Sequence, residues 1–299
     1  MTKMNVVIPV YNQAYALSLT LHGLTRQAAP YNRCPVIVVD DGSEEPVHAV
    51  AEAYRGRLNL TYVRIPRSGR AAARNAGARL LDEGCVLFCD ADRIPRPGFI
   101  EAHEQARRKH GGHFVVGQVR ELYVPDAEQN RDLVLARYEA QKYDRIPQYC
   151  RLVYRLFNES GSTASPVPWI AALSGNMSLP LDLFRDLGGF DDTFREWGFE
   201  HLELGYRAHR RQIPFAYCRE AVNVHLAHPR TGASYADFIR RSHDTFFRKH
   251  PHPVIGAFYD FMMGRISRIQ LENLASTGML GSAGRNTPDE YVRILNFKT

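Results

Sequence analysis

The first 117 residues alternate between two periodicities, and that alternation restricts the fold more than any other property of the chain. Short, β-branched runs at Asn5–Val10, Pro35–Asp40, Leu58–Ile65 and Cys85–Asp90 have the length and bounding turn residues of buried strands. Between them, Gln13–Gln27, Glu44–Arg55 and the alanine-rich Gly69–Asp82 read as helices. Strand, helix, strand at this spacing implies right-handed crossovers and a parallel sheet covered on both faces. Such sheets bind ligands at the carboxyl ends of their strands. The residues that follow each strand are therefore the candidates for function.

Those residues form a series. The first run ends in Pro9-Val10-Tyr11-Asn12 and the second in Asp40-Asp41-Gly42-Ser43. The third leads to Arg67-Ser68-Gly69-Arg70 and on to Arg74-Asn75, and the fourth ends in Asp90-Ala91-Asp92. Taken singly, D-D-G-S is a common turn and helix cap, and D-x-D occurs in many solvated loops. Four consecutive strand ends with mutually useful groups are rarer, and a nucleotide diphosphate-sugar would use them all. Asp40 or Asp41 can accept the N3–H of uracil, which cytosine lacks. Arg67, Arg70 and Arg74 offer planar forks to phosphate oxygens. Asp90 and Asp92 cannot easily both stay ionised without a cation. A divalent ion bridging them to the diphosphate would stabilise a departing nucleotide.

The bulk numbers set limits. A chain of 299 residues, 44% hydrophobic and 23% charged, has room for one large α/β domain with a substantial core. The net charge of +6 is scattered apart from short runs such as Arg107-Arg108-Lys109 and Arg210-Arg211, so no nucleic-acid footprint is present. A modest cationic surface suits a phosphorylated small molecule, an acidic acceptor or peripheral contact with an anionic membrane. Five cysteines without a C-x-x-C pair read as buried thiols in a reducing compartment. The first residues have no signal-peptide pattern and no apolar run is long enough to span a bilayer, so a cytoplasmic location is expected.

Beyond residue 117 the expected elements are a strand near Phe114–Val119, a helix from Gln129 to Lys142, and a loop over 143–166 that could form a lid. A strand over Val167–Leu179, a turn at Gly188-Gly189 and a helix from Glu200 to Arg211 follow. Ile255, Phe258, Met262, Ile266 and Ile269 keep helical spacing and read as a helix docked on the body.

"VVIPVYNQ", "VIVVDDGSEE", "RSGRAAARNAGARL" and "LFCDAD" together resemble the nucleotide-binding half of the GT-A glycosyltransferases of family 2. "LSGNMSLPLDLFRDLGGFDDTFREWGFEHLELGYR" resembles their acceptor half, close to the segment shared by chondroitin polymerases and β-1,4-galactosyltransferases. The resemblance covers roughly residues 4–230. It implies a Rossmann-like, mostly parallel GT-A sheet with helices on both faces: residues 1–117 as the nucleotide-sugar half, 118–250 as the acceptor half, and 251–299 as a helical extension. It implies transfer from a UDP-sugar to a glycan, natural-product or peptide acceptor, with inversion. It implies a metal, Mn²⁺ or Mg²⁺, on Asp92 and on a downstream histidine of "VNVHLAHPR", His228 ahead of His225.

One departure is informative. Inverting relatives read Trp-Gly-x-Glu-Asp with the last Asp as base; here the segment is Trp197-Gly198-Phe199-Glu200-His201. Glu200 is the first choice for the base and His201 the second. A thiol acceptor, which needs less help, is a third explanation. Trp197 could stack on the acceptor, and the Gly188-Gly189 turn would set Asp191 and Asp192 near the donor sugar. Glu203 is placed to pair with Arg207 at i+4. Nucleotidyl transfer is disfavoured, because the first strand is not followed by a glycine-rich, lysine-bearing loop. The missing Asp leaves one alternative outside catalysis, an inactive sugar-nucleotide or glycan-binding module.

Overall fold

The computed structural model describes residues 3–111, 114–143, 145–195, 198–227, 235–281 and 288–293. In chain order the elements are β1 (Met4–Val10), α1 (Ala14–Thr25), β2 (Val36–Asp40), α2 (Val47–Arg55), β3 (Leu60–Arg64), α3 (Arg70–Arg79), β4 (Cys85–Cys89), β5 (Arg93–Pro95), α4 (Phe99–Lys109) and β6 (Phe114–Tyr123). They continue with α5 (Arg131–Glu139), α6 (Gln148–Tyr154), β7 (Asn176–Pro180), α7 (Leu181–Asp186), α8 (Glu200–Arg210), β8 (Phe215–Ala227), α9 (Tyr235–Lys249), α10 (Pro253–Met262) and α11 (Arg268–Thr277). The strands form one sheet in the order β3-β2-β1-β4-β7-β6-β8-β5.

β1, β2 and β4 are buried along their whole length, as unbroken apolar runs must be when helices cover both faces of a sheet. β1 pairs in parallel with β2 on one side and β4 on the other, and β2 in parallel with β3. The chain thus winds outward to β3 and returns across β1 to β4. That reversal opens a crevice at the carboxyl ends of β1 and β4. The small residues of α3 have a packing reason: a Cβ on Gly77 would stand 2.5 Å from Val7 Cγ1, so only a bare backbone can lie this close to β1. The first four expected strands and three expected helices are present, with ends trimmed by a few residues.

The far half of the sheet is mixed. β7 runs antiparallel between β4 and β6, whereas β8 lies parallel to β6 and antiparallel to β5. A buried polar knot joins these layers. His103 of α4 faces Ser178 Oγ through Nδ1 (2.9 Å) and Asn176 Oδ1 through Nε2 (2.8 Å). Asn176 Nδ2 donates to the carbonyls of Gln118 (3.1 Å) and Ala221 (3.0 Å). The amide fits because residue 117 is glycine; a Cβ there would collide with Asn176 Oδ1.

Three expectations need correction. Residues 143–166 are not all loop, because α6 lies within them and buries Cys150, Leu152, Val153 and Tyr154. Val167–Leu179 is not one strand: Pro168, which cannot donate to a ladder, starts a buried 3₁₀ turn to Ala171, and β7 begins only at Asn176. The C-terminal stripe is not one helix. The chain breaks at Gly264 (φ 68°) and restarts under a Ser267–Gln270 capping box, leaving Ile269 exposed. Ile255, Phe258 and Met262 do dock on the body, where Phe258 meets Trp169 and Phe199. Cys85, Cys89, Cys150 and Cys218 are buried free thiols, and burial raises the pKa of each. Among the described residues no helix is long and apolar enough to cross a membrane.

Burial excludes the charged form of His103 and lowers its pKa to about 4. The unfolded imidazole takes a proton near pH 6.5, so the native state loses stability as pH falls from about 6.5 to about 4, by about 3 kcal/mol in all. Chemical denaturation between pH 7 and 4.5 should show this slope, and it should flatten in His103→Gln.

Candidate active site

The loops after β1 and β2 are sewn into one rim. Asn12, in the left-handed region (φ 48°), donates its N–H to Ser43 Oγ (2.9 Å), and its Oδ1 accepts from the N–H of Glu44 (2.8 Å). Glu45 Oε2 accepts from the N–H of Ala14 (2.7 Å). Pro9 is buried inside β1 beside Val39. Asp40 is completely buried and serves this rim internally. Its Oδ1 accepts from the N–H of Ser43 (2.8 Å) and its Oδ2 from the Tyr62 hydroxyl (2.6 Å).

Asp41 gathers the third loop. It accepts from the N–H groups of Ser68 (2.6 Å) and Gly69 (2.9 Å) and from the Arg67 guanidinium. Arg67 lies flat on the half-exposed Tyr11 ring, 3.7 Å from guanidinium carbon to centroid. Tyr11, Arg67 and Asp41 are thus one stack beside the N-terminus of α3, where Arg70 is exposed. The structure gives Arg74 a different place from the phosphate fork that its sequence position suggests. It is 2% exposed and reaches inward, Nη2 to Asp90 Oδ1 (2.7 Å) and Nη1 to Glu200 Oε1 (2.9 Å).

Asp92 sits where β5 pairs with β8. That register sets His225 opposite Arg93. The His225 ring lies between two acids, with Nε2 3.5 Å from Asp92 Oδ2 and Nδ1 3.4 Å from Glu121 Oε1. Arg145 Nε donates to the other oxygen of Glu121 (2.8 Å). Burial opposes ionisation of Glu121, but His225 and Arg145 outweigh it and bring its pKa to about 2. His225 itself is raised: burial and Arg93 work against the imidazolium, and Asp92 and Glu121 overcome them. Among the described residues no three His, Cys, Asp or Glu side chains form a metal site by themselves. An imidazole and a carboxylate at one rim, with substrate oxygens completing the sphere, still fit Mn²⁺ or Mg²⁺. A carboxylate on the far nitrogen of the histidine is the usual support for such a ligand. His228 lies outside the described residues, as does Trp197.

Glu200 and His201 open α8. The turn into it uses two left-handed residues, Gly198 (φ 76°) and Phe199 (φ 75°). For phenylalanine that conformation costs about 1–3 kcal/mol. It is offset by burying the ring among Phe246 and Phe258. Glu200 is fully buried. Burial alone would raise its carboxyl, but His201, Arg74 and Arg70 hold it far below the usual carboxylate range. His201 is partly open, with Nδ1 3.4 Å from Glu200 Oε1. Asp191 is taken up by Lys249 (2.5 Å) and Thr193 Oγ1 (2.6 Å), while Asp192 is exposed. Phe190 is pinned to α3 through Asn75, which bonds both its N–H (2.9 Å) and its carbonyl (2.7 Å). Glu203 pairs with Arg207 as its spacing indicated.

The sequence reading named Asn12, Ser43 and Asn75 at the strand ends without giving them a role, and it did not name Glu121 or Lys249. Only Asn12 and Ser43 carried a signal, as turn formers beside the motifs; the others act on partners distant in the chain.

The sequence pattern of Glycosyl transferase family 2 matches residues 5–160. Validoxylamine A glucosyltransferase from Streptomyces hygroscopicus subsp. jinggangensis is 30% identical over 83% of this chain and 61% of its own length. Chondroitin synthase from Escherichia coli is 25% identical over 76% of this chain and 35% of its own. The chain therefore spans about three-fifths or less of these relatives. Among solved structures, S. aureus TarS 1–349 in complex with UDP-GlcNAc superposes with a TM-score of 0.61, at 18% identity, over 88% of this chain and 72% of that one. The mannosyltransferase PcManGT of Pyrobaculum calidifontis, in complex with GDP-Man and Mn²⁺, gives 0.60 at 18% identity, over 92% and 73%.

Removing Arg74 strands two acids, one of them fully buried. Arg74→Met should lower unfolding free energy by about 3–5 kcal/mol in urea titrations, and Arg74→Met/Glu200→Gln should recover part of that loss. The pattern match over half the chain, on a GT-A fold, makes this protein a member of glycosyltransferase family 2.

Proposed function

We propose that the chain transfers a sugar from a UDP-sugar to an acceptor nucleophile with inversion, and that His201 is the base. The observation that carries this is convergence. Asp90 after β4 and Glu200 at the start of α8 lie 126 residues or less from Arg74, yet both bond the same buried guanidinium at one sheet edge. The donor rim and the Glu200-His201 pair are thereby one construction. The UDP-GlcNAc complex of one structural neighbour supports a UDP-sugar donor, and the GDP-Man and Mn²⁺ complex of the other supports a nucleotide-sugar donor used with a metal.

Tyr11 offers its face to the uracil ring and Asp41 accepts the N3–H, with Arg67 released from Tyr11 toward the diphosphate alongside Arg70. Release of Arg67 frees a position on Asp41 Oδ2 for that proton, whereas Asp40, completely buried and held by Ser43 and Tyr62, shapes the turn. Asp92, with His225 or His228, would hold a divalent ion, whose chemistry is to neutralise charge on the departing diphosphate. The acceptor oxygen attacks the anomeric carbon from the face opposite UDP and gives its proton to His201. A carboxylate held as strongly ionised as Glu200 is a weak base. Its place beside Nδ1 suits it instead to orient His201 and stabilise the imidazolium.

UDP release from a panel of UDP-sugars, with Mn²⁺ and with chelator, tests this. Metal-dependent turnover is expected and should vanish in Asp92→Asn. His201→Ala should lower kcat by roughly 10²–10⁴ with UDP affinity kept. An unchanged rate in His201→Ala would remove it as the base. Donor binding without release under any acceptor would make the chain a binding module.

A further inference from the structure

A groove of about 400 Å³ separates the loop leading into α8 from helix α9. Thr193 and Arg195 stand on one wall; Arg241, Asp244, Thr245 and Arg248 stand on the other. The four α9 positions share one face by their i, i+3, i+4, i+7 spacing. The walls are fixed relative to each other. Lys249 holds Asp191 at 2.5 Å, and the Phe194 and Phe246 rings meet at 6.5 Å between centroids.

Arg195 and Arg248 therefore line the groove from opposite walls, with one lining carboxylate, Asp244, whose Oδ1 lies 3.8 Å from His243 Nδ1; Arg241 also lines it, its guanidinium carbon 5.0 Å from the Phe238 ring centroid. Arg248 is propped on Thr245 Oγ1 at 3.2 Å. Like charges on two pinned walls repel, and an anion between them removes that repulsion. Arginine forks on both sides match a planar carboxylate or a tetrahedral oxyanion. The volume falls in the range of small-molecule sites.

Position decides what the anion belongs to. A Cβ on Gly69 would lie 3.9 Å from the Arg195 Cα, so the groove begins where the Asp41-held loop ends. Arg195 also stands just ahead of Glu200 and His201 in the chain. The groove thus adjoins the site on the α8–α9 side, while Arg67 and Arg70 serve the strand-end side. We propose that it receives an anionic group of the acceptor, a carboxylate, sulfate or phosphate, so that the acceptor is an acidic sugar. This rests on the glycosyltransferase reading above.

The experiment is calorimetry on the full chain with UDP and Mn²⁺ present. Glucose, glucuronate and glucose 6-phosphate are the probes, and Arg241→Gln/Arg248→Gln and, separately, Arg195→Gln are the variants. At least one charged sugar should bind ten-fold or more tighter than glucose. Both variants should erase that preference while UDP affinity stays within two-fold and the melting temperature holds. Equal binding of charged and neutral sugars, or a preference that survives both variants, overturns the proposal. So does a ten-fold loss of UDP affinity in the variants, which would give the arginines to the donor. Absence of UDP binding in the unaltered chain is a different result, and it sinks the donor assignment itself.

Discussion

One buried guanidinium organises the site. Arg74 has almost no contact with water, and its charge is tolerated because Asp90 and Glu200 supply compensating carboxylates from two directions. Asp90 ends a central strand and Glu200 begins a helix contributed by the second half of the chain. The bridge therefore fixes where α8 can start relative to the sheet edge. Asn75, the next residue, repeats the function with neutral groups by holding Phe190 through both backbone atoms. Together they convert the N-terminal turns of α3 into a bracket between the nucleotide side and the acceptor side.

Backbone strain also falls at this place. Phe199 adopts a backbone conformation unfavourable for a bulky side chain, directly before the pair carrying the proposed proton transfer. Its ring packs with Phe246 and Phe258, so α9 and α10 hold the turn in shape. The C-terminal helices thereby contribute to the geometry of His201 through Phe199.

The β1–β4 half was legible because its signals are local: unbroken apolar strands, helical spacing between them, and polar residues where each strand ends. The mixed half was not, because β7 takes its neighbours from β4 and β6, and β8 from β6 and β5, pairings that no window of sequence contains. Pro168 was a local mark against one long strand that the apolar run around it outweighed, and the loop reading of 143–166 missed the buried face of α6. At the site, residue types were read better than partners. Arg74 looked like a phosphate ligand because it follows the third strand in one run with Arg67 and Arg70, and only Asp90 and the distant Glu200 explain why it turns inward. Glu121, between Arg120 and Leu122 in β6, carried no mark of the His225 ring it supports.

The knot around Asn176 has a consequence for how this chain can change over time. Its amide occupies space that a side chain at position 117 would need, and its hydrogen bonds span β6, α4 and β8. Position 117 is closed twice over: a Cβ there would collide with Asn176 Oδ1 and would stand 2.5 Å from the Ala221 backbone carbonyl, and a smaller residue at 176 relieves only the first. Shrinking residue 176 would in turn leave His103 and two carbonyls seeking new partners. Lineages of this fold should keep glycine at 117 and change residues 103 and 176 together.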